Sequence, residues 1–330
     1  METRELKQRL ADRWPATSIH GVATSAMLYS ADISEKVITA AVERCLLIRL
    51  HRGAYIQSAV WERLRAWERE DAVLAGHVLA SHSQGVYSHA SAARLHGLRT
   101  WGCGSGIHLS HEFSPGSTGR SSFITGHRQA YPPESIILKP MGPLQVPVTT
   151  VAQTVVDCAR FYGLEQSTVI GDHALRGSVT IQQLRSLLES STVKRGSARA
   201  SRLLEFLDPR SESAGESRTR VFMATSKLPM PELQLEIATR NGTYRADFAW
   251  PEYRLVLEFD GWGKYFDYRP TAQALAMERQ REKDLMELGW SVVRINWKDL
   301  SDPAALYGRI RAALNRAGAG LPVTRTPVFA

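Results

Sequence analysis

The sequence predicts an α/β multidomain protein, and three observations carry that expectation. Residues 21–56 read as two short helices and then two short strands around His51-Arg52-Gly53, the element order of a winged helix. Residues 244–259 read as a hairpin of aromatic and aliphatic residues around Pro251-Glu252-Tyr253, followed by an amphipathic helix and another strand, so this end forms an α/β sandwich. The chain is 330 residues long, more than one core usually holds, which leaves room for an α/β middle domain. The expected organisation is a winged helix over 1–70, a middle domain over 71–207, a linker at 208–215 and the sandwich over 216–330.

Each element has its local reason. Gly21 to Ser30 reads as the first helix, and Ser34 to Arg44 as the second, with Ser34 as its cap. Such modules lay the second helix in the DNA major groove and set the wing on backbone phosphates. The candidate contacts are therefore Ser34, Lys36 and Thr39 on the helix, and Arg49, His51 and Arg52 on the wing. A winged helix used for protein contact is the alternative, and the second helix is not strongly basic. Asp208-Pro-Arg-Ser-Glu-Ser-Ala-Gly215 has linker composition, and Glu112 to Ser122 is a loop by its Ser, Gly and Pro content. Lys194 to Arg202 leads into a surface helix. Thr271 to Leu288 spaces its apolar residues as an amphipathic helix that Gly289 ends, and a buried strand follows from Trp290 to Trp297.

Composition narrows the function classes. The net charge is +8, which favours a polyanionic partner such as DNA. Cys45, Cys103 and Cys158 stand apart with no Cys-x-x-Cys pair, and no apolar run approaches the roughly 20 residues that span a bilayer. A reduced, cytoplasmic home without membrane insertion is the expectation. Seven histidines crowd the middle region: His77, His82, His89, His96, His108, His111 and His127. No cysteine or carboxylate joins them at a recognised metal-ligand spacing, and His89 and His96 fall where a helix would bury them as core or capping residues.

The hairpin carries the clearest chemistry. With Glu252 and Tyr253 at the tip, Trp250 opposes Leu255 and Asp247 opposes Glu258. Directly opposed residues lie about 4.5–5.5 Å apart at Cβ, and Glu258 and Asp260 share a face. Like charges so placed destabilise a sheet unless a partner compensates, and a divalent metal held by carboxylate oxygens is one such partner. The structural alternative leaves Glu258 and Asp260 facing water, with Asp260 paired to Arg245.

The residues Arg245-Ala-Asp247-Phe, Val256-Leu-Glu258-Phe-Asp260-Gly-Trp-Gly-Lys264, Glu278-Arg-Gln-Arg281-Glu-Lys-Asp284 and Gly289-Trp-Ser-Val-Val-Arg294 occur in an order that resembles the PD-(D/E)XK superfamily of restriction-endonuclease-like folds. Within it, the very-short-patch-repair (Vsr-like) branch is the most similar. The resemblance implies that Asp247 and Glu258 hold Mg²⁺ (or Mn²⁺) and that Glu216 on the fold's first helix supports the metal or the water; Asp260, which departs from the family's pattern, is expected to support the metal or to hold an additional ligand position. The superfamily's lysine two residues after the second acid is Asp260 here, so Lys264, or Lys283 on the following helix, takes over its role. Ser213 and Glu216 also have the spacing of a capping box, which gives Glu216 an ordinary explanation. Arg279, Arg281 and Arg294 are the candidate phosphate contacts.

The N-terminal half carries a second resemblance. The winged helix, then Tyr87-Ser-His89-Ala-Ser-Ala-Ala-Arg-Leu-His96-Gly, then Val148 to Asp157, is similar to the antitoxin-like (AbiEi-like) family of abortive-infection type IV toxin–antitoxin systems. It implies operator binding and a toxin–antitoxin or defence partner protein. Fusion to a nuclease-like region departs from that family's pattern. Two functions therefore compete: a metal-dependent DNA endonuclease, and a non-catalytic DNA-binding autoregulator built on a degenerate nuclease fold.

Overall fold

A computed structural model of the chain describes residues 2–81, 85–112, 123–177, 179–261 and 272–322, with backbone alone for 272–276. It is mixed α/β and divides into two compact units: Met1–Tyr162 with Gln182–Ser197, and Gly163–Ile181 with Ala198–Ala330.

The first unit opens with α1 (Thr3–Arg13), β1 (Val22–Thr24), α2 (Ser25–Ser30), α3 (Glu35–Glu43), β2 (Leu47–His51) and β3 (Ala54–Gln57). The strands form a sheet in the order β1-β3-β2, so the winged-helix element order is present, with α1 added in front. Leu6 and Leu10 of α1, Leu28 of α2 and Val37, Ile38 and Ala41 of α3 share one core, because their helical spacing puts each set on one face. Two expectations are corrected. Val22 to Thr24 is a strand, since it pairs with β3, and Thr24 caps α2 by accepting from the Met27 N–H. Ser34 occupies the cap position of α3, but its side chain makes no capping hydrogen bond.

The same unit continues through α4 (Ser58–Arg63), α5 (Ala66–Ala80), β4 (Val86–Tyr87), α6 (His89–Leu95), β5 (Ile107–His111), β6 (Ile124–Arg128), β7 (Ile136–Met141), β8 (Leu144–Thr149) and α7 (Val151–Phe161). Strands β4 to β8 make a mixed sheet in the order β6-β5-β4-β8-β7. Residues 113–122, most of the loop expected from composition, and His82 lie outside the described residues. Beyond α7, α8 (Leu164–Leu175) belongs to the second unit, α9 (Ile181–Ser190) chiefly to the first and α10 (Ser197–Leu204) chiefly to the second.

The second unit adds α11 (Ala214–Thr225), β9 (Glu232–Thr239), β10 (Gly242–Trp250), β11 (Leu255–Asp260), α12 (Ala272–Glu287), β12 (Ser291–Asn296) and α13 (Pro303–Arg316). Its sheet runs β12-β11-β10-β9, antiparallel except for the β11–β12 pair. Phe248, Trp250, Leu255, Leu257 and Phe259 face a core shared with α11 and α13. β12 is an edge strand whose only fully buried residue is Ile295, so the expectation of a buried strand is corrected.

Residues 208–215, expected to be a linker, are knitted into this unit. The Asp208 amide and the Ser217 hydroxyl both donate to the Asp172 carboxylate of α8, at 2.8 and 2.6 Å, and Arg220 pairs with the same carboxylate at 2.6 Å. Ser211 is buried and accepts from Arg220 Nε. A buried aspartate needs such donors, and polar linker-like residues supply them. Glycine is required at position 215, where an added Cβ would lie 1.9 Å from the Phe259 ring.

Candidate functional site

The β10–β11 pairing places Phe248 opposite Leu257, Ala249 opposite Val256 and Trp250 opposite Leu255. Carried one step further, this register sets Asp247 against Glu258, as the hairpin expectation had it. The ladder ends just there, and side chains take over from the backbone. The Asp247 amide donates to Glu258 Oε1 at 3.3 Å, and the Phe259 amide donates to Asp247 Oδ2 at 2.9 Å. Each acid is thus tied to the opposing strand.

β9 breaks at the same level. Gln234 adopts φ 54°, in the left-handed region that non-glycine residues seldom enter, and it interrupts the β9–β10 ladder opposite Asp247. On one side of the break Leu233 and Phe248 face the core shared with α11 and α13. On the other, Leu235, Ile237, Tyr244 and Ala246 pack with Val256 and Leu285 of α12. The hairpin arm has turned its inward face over. Tyr244 therefore comes close to Glu258, and burial together with that negative charge pushes the phenol pKa up.

This twist corrects the expected Asp260–Arg245 pair. Arg245 donates instead to Glu212 at 2.7 Å. Asp260 is buried and faces Arg294 of β12 at 3.7 Å. Arg294 is clamped in turn by Glu278 at 2.5 Å and Glu282 at 3.3 Å, one helical turn apart on α12. Glu258, Asp260, Glu278, Glu282, Arg281 and Arg294 line a cleft of about 600 Å³.

Glu216 stands in the first turn of α11. Ser213 caps the helix by accepting from the Glu216 amide at 3.1 Å. The reciprocal half of the expected capping box is shifted by one residue, because the Glu216 carboxylate accepts from the Glu212 amide at 2.7 Å, and also from Gln234 Nε2 at 2.9 Å. Burial first, and then the negative charge of Asp247, push its carboxyl up to about 7. Glu216 is thus both a helix-terminus acid and an electrostatic neighbour of Asp247.

Of the proposed lysines, Lys264 lies outside the described residues, and Lys283 is exposed on α12 and does not line the cleft. Arg279 and Arg281 are exposed on the same helix. In the first unit, Ser34, Lys36, Thr39, Arg49 and Arg52 are all exposed, whereas His51 is half-buried. Sequence reasoning missed Tyr244, Gln234 and the Glu278–Glu282 clamp. Only the clamp left a signal, its i, i+4 spacing.

Among the described residues, the trio of ligand atoms that lie within 4.8 Å of one another is formed by histidines, His89, His108 and His127. His89 is buried at the start of a helix, as expected, and no described cysteine or carboxylate joins the trio; β5, β6 and the start of α6 bring together three histidines whose sequence spacing matches no ligand pattern.

Comparison with known proteins leaves the function open. No protein-family profile matches the chain. It is 35% identical over 175 residues to the uncharacterised protein Rv2248 of Mycobacterium tuberculosis strain H37Rv, and likewise to its counterpart MT2308 in strain CDC 1551. The match covers 51% of this chain and 62% of each relative, so the chain spans less than two thirds of their length. The crystal structure of the RV2827C protein from the same species overlaps 71% of this chain and 87% of its own, at 16% identity and a TM-score of 0.35, a likeness too loose to carry weight. No helix among the described residues is long and apolar enough to cross a membrane.

Proposed function

We propose that this chain is a Mg²⁺- or Mn²⁺-dependent endonuclease that hydrolyses DNA phosphodiester bonds. Its winged helix serves as the DNA-binding module, and it acts in the cytoplasm in phage defence, mobile-element biology or repair. The observation that carries the reading is the opposition of Asp247 and Glu258 at a break in the sheet, with Glu216 close enough to feel the charge of Asp247.

The donor set suits a hard cation. Mg²⁺ is commonly bound by one or two carboxylates and completes its shell with water and substrate phosphate, so Asp247 and Glu258 suffice to hold it, with Asp260 further along the same strand. Bound there, the ion would supply an activated water and offset charge on the phosphate. The chain's own residues do the rest. Glu216, with a carboxyl at about 7, can hold or release a proton near neutral pH. Tyr244 lies beside Glu258, and Arg281 on the cleft wall can meet phosphate oxygens, which guanidinium matches in pairs.

A second reading is a non-catalytic, antitoxin-like DNA-binding autoregulator with a toxin or defence protein as partner. One observation favours it: Asp260 stands where a lysine is expected and is engaged with Arg294. Incubation of the purified chain with plasmid, single-stranded and mismatched DNA plus Mg²⁺ or Mn²⁺ separates the two. Cleavage that Glu258→Ala abolishes supports the enzyme. Absence of cleavage on every substrate, with specific binding to the chain's own promoter, supports the regulator instead.

A further inference from the structure

We propose that His89, His108 and His127 form a binding site for a late first-row divalent transition metal, zinc foremost, separate from the carboxylate site. The geometry comes first. His108 lies on β5 and His127 on the parallel neighbour β6, where Ser110 stands opposite His127 in the register. Both imidazoles therefore project on one side of the sheet, two positions out of step. His89 begins α6 and completes the group, its ring stacked on that of His127 at 3.7 Å between centroids. One ligand nitrogen from each residue falls within 4.8 Å of the other two. Three imidazole nitrogens with an open fourth position are the donor set zinc adopts at reactive sites, and imidazole suits it better than it suits Mg²⁺ or Ca²⁺.

At His89 and His108 the other ring nitrogen has a hydroxyl partner, which orients the ring. His89 Nδ1 lies 2.9 Å from Ser88 Oγ, which leaves Nε2 for a metal. His108 Nε2 lies 2.9 Å from the Tyr162 hydroxyl, which leaves Nδ1. That Nδ1 is 2.9 Å from His127 Nε2. Without a cation, one of these two nitrogens must carry the proton shared between them. On metal binding the proton moves to the far nitrogen of its own ring, at His108 onto Nε2, where the Tyr162 oxygen accepts it.

A row of hydroxyls extends behind His89. Ser88 Oγ is 2.8 Å from Ser110 Oγ, Ser110 Oγ is 3.1 Å from the Tyr131 hydroxyl, and Tyr131 donates to the buried Asp157 carboxylate at 2.7 Å. Ser110 donates to Ser88 Oγ, whose second lone pair can accept from His89 Nδ1–H. Metal-bound histidines are regularly oriented through their other nitrogen, and here the Ser88 hydroxyl takes that place.

Two further observations separate this cluster from ordinary core histidines. His89 holds φ 50° although it is not glycine, and strained backbone of this kind concentrates at functional positions. His127 is only half-buried, and Phe161, which packs edge-on against all three rings at 5.3 Å, is 45% exposed. The site thus opens on the side where a water or exchangeable ligand would complete the coordination.

The test uses the full chain, stripped with a chelator and titrated with Zn²⁺ against a chromogenic competitor. Uptake of one Zn²⁺ per chain is expected. His127→Gln, at the solvent-facing ligand, should weaken it about a hundredfold, and Ser88→Ala about tenfold. Asp247→Asn with Glu258→Gln should leave it unchanged, which keeps the outcome independent of the nuclease reading. X-ray absorption of the Zn²⁺-loaded wild type should show nitrogen neighbours at about 2.0–2.1 Å with imidazole scattering, a readout that needs no variant to fold. No stoichiometric uptake, or a first shell dominated by carboxylate oxygen or sulfur, would overturn the proposal and leave a stack of neutral core histidines. Uptake that a folded His127→Gln variant leaves intact would overturn it equally.

Discussion

The carboxylate site of the second unit and the histidine cluster of the first are opposite solutions to one problem, that of gathering ionisable groups in a small space. Asp247, Glu258 and Glu216 are acids whose charges repel. The fold holds the first two by giving each a backbone N–H on the opposing strand, and it lets the repulsion appear as a Glu216 carboxyl raised to about 7. The histidines avoid the difficulty because burial removes their charge. Neutral rings then stack and hydrogen-bond to one another. A charged cluster therefore shows through its electrostatics where a cation would be favourable, whereas a neutral cluster shows it only through geometry.

The largest expected effect tests the charged half of this comparison. Glu258→Ala removes one of the two opposed acids, and also the acceptor for the Asp247 amide. DNA cleavage should fall about a thousandfold, or roughly 4 kcal/mol of transition-state stabilisation, with the Asp247→Ala variant close behind. Asp260→Asn should cost far less if Asp260 serves chiefly to face Arg294. A loss as large as that of Glu258→Ala would instead make Asp260 a metal ligand.

Next comes acid sensitivity of the neutral cluster. The folded-state values of His89, His108 and His127 lie below that of an unfolded histidine, near 6.5, so below this pH the unfolded chain binds more protons. Stability is then lost as pH falls from about 6.5 towards 4. Asp157, pushed up to about 6 by burial, acts in the opposite direction over the same range and offsets part of the loss. The net outcome should be a loss of stability between pH 7 and 4. Hydrogen exchange in α6 and α7 would report it, and protection that stays flat over this range would contradict the assigned neutrality.

A smaller effect probes how the acids are positioned. The Cβ added by Gly215→Ala would lie 1.9 Å from the Phe259 ring, forcing α11 away from β11 or the ring out of its place. Overpacking of this kind costs about 2 kcal/mol. Because Gly215 precedes Glu216 and Phe259 donates its amide to Asp247, cleavage should fall along with the melting temperature. A variant that melts lower but cleaves normally would show that α11 is a support without a part in the site.

The two regions also differ in how well they could be read before the structure. The Asp247–Glu258 opposition followed from one turn and the twofold alternation of strands, and it holds because Trp250, Leu255 and Leu257 fix the register through the core. Extrapolating the same alternation past Asp247 failed. Nothing local announced that Gln234 would enter the left-handed region, so Arg245 turned to Glu212 and Tyr244 to Glu258. Spacing rules missed the histidine trio because His108 and His127 meet through a parallel strand pair, and the loop between them carries no periodicity. The linker at 208–215 was misjudged for a related reason: polar residues suit solvent, but they equally suit a buried aspartate that needs donors.

The smallest effect follows from Glu216 itself and decides whether its electrostatics belong to a cation site. A carboxyl raised in the folded state stabilises the fold below its unfolded value, near 4.5, and that contribution disappears as pH rises through about 7. At pH 8 the charged Glu216, beside Asp247, is a liability. Glu216→Gln, which keeps an oxygen to accept from the Glu212 amide and Gln234, should match the wild type at pH 5 and exceed its stability at pH 8. Mg²⁺ should narrow the pH 8 difference by stabilising the wild type more than the variant. A difference that is the same at both pH values, or untouched by Mg²⁺, would mean that the glutamate serves the end of α11 alone and that the opposed pair of acids stands without it.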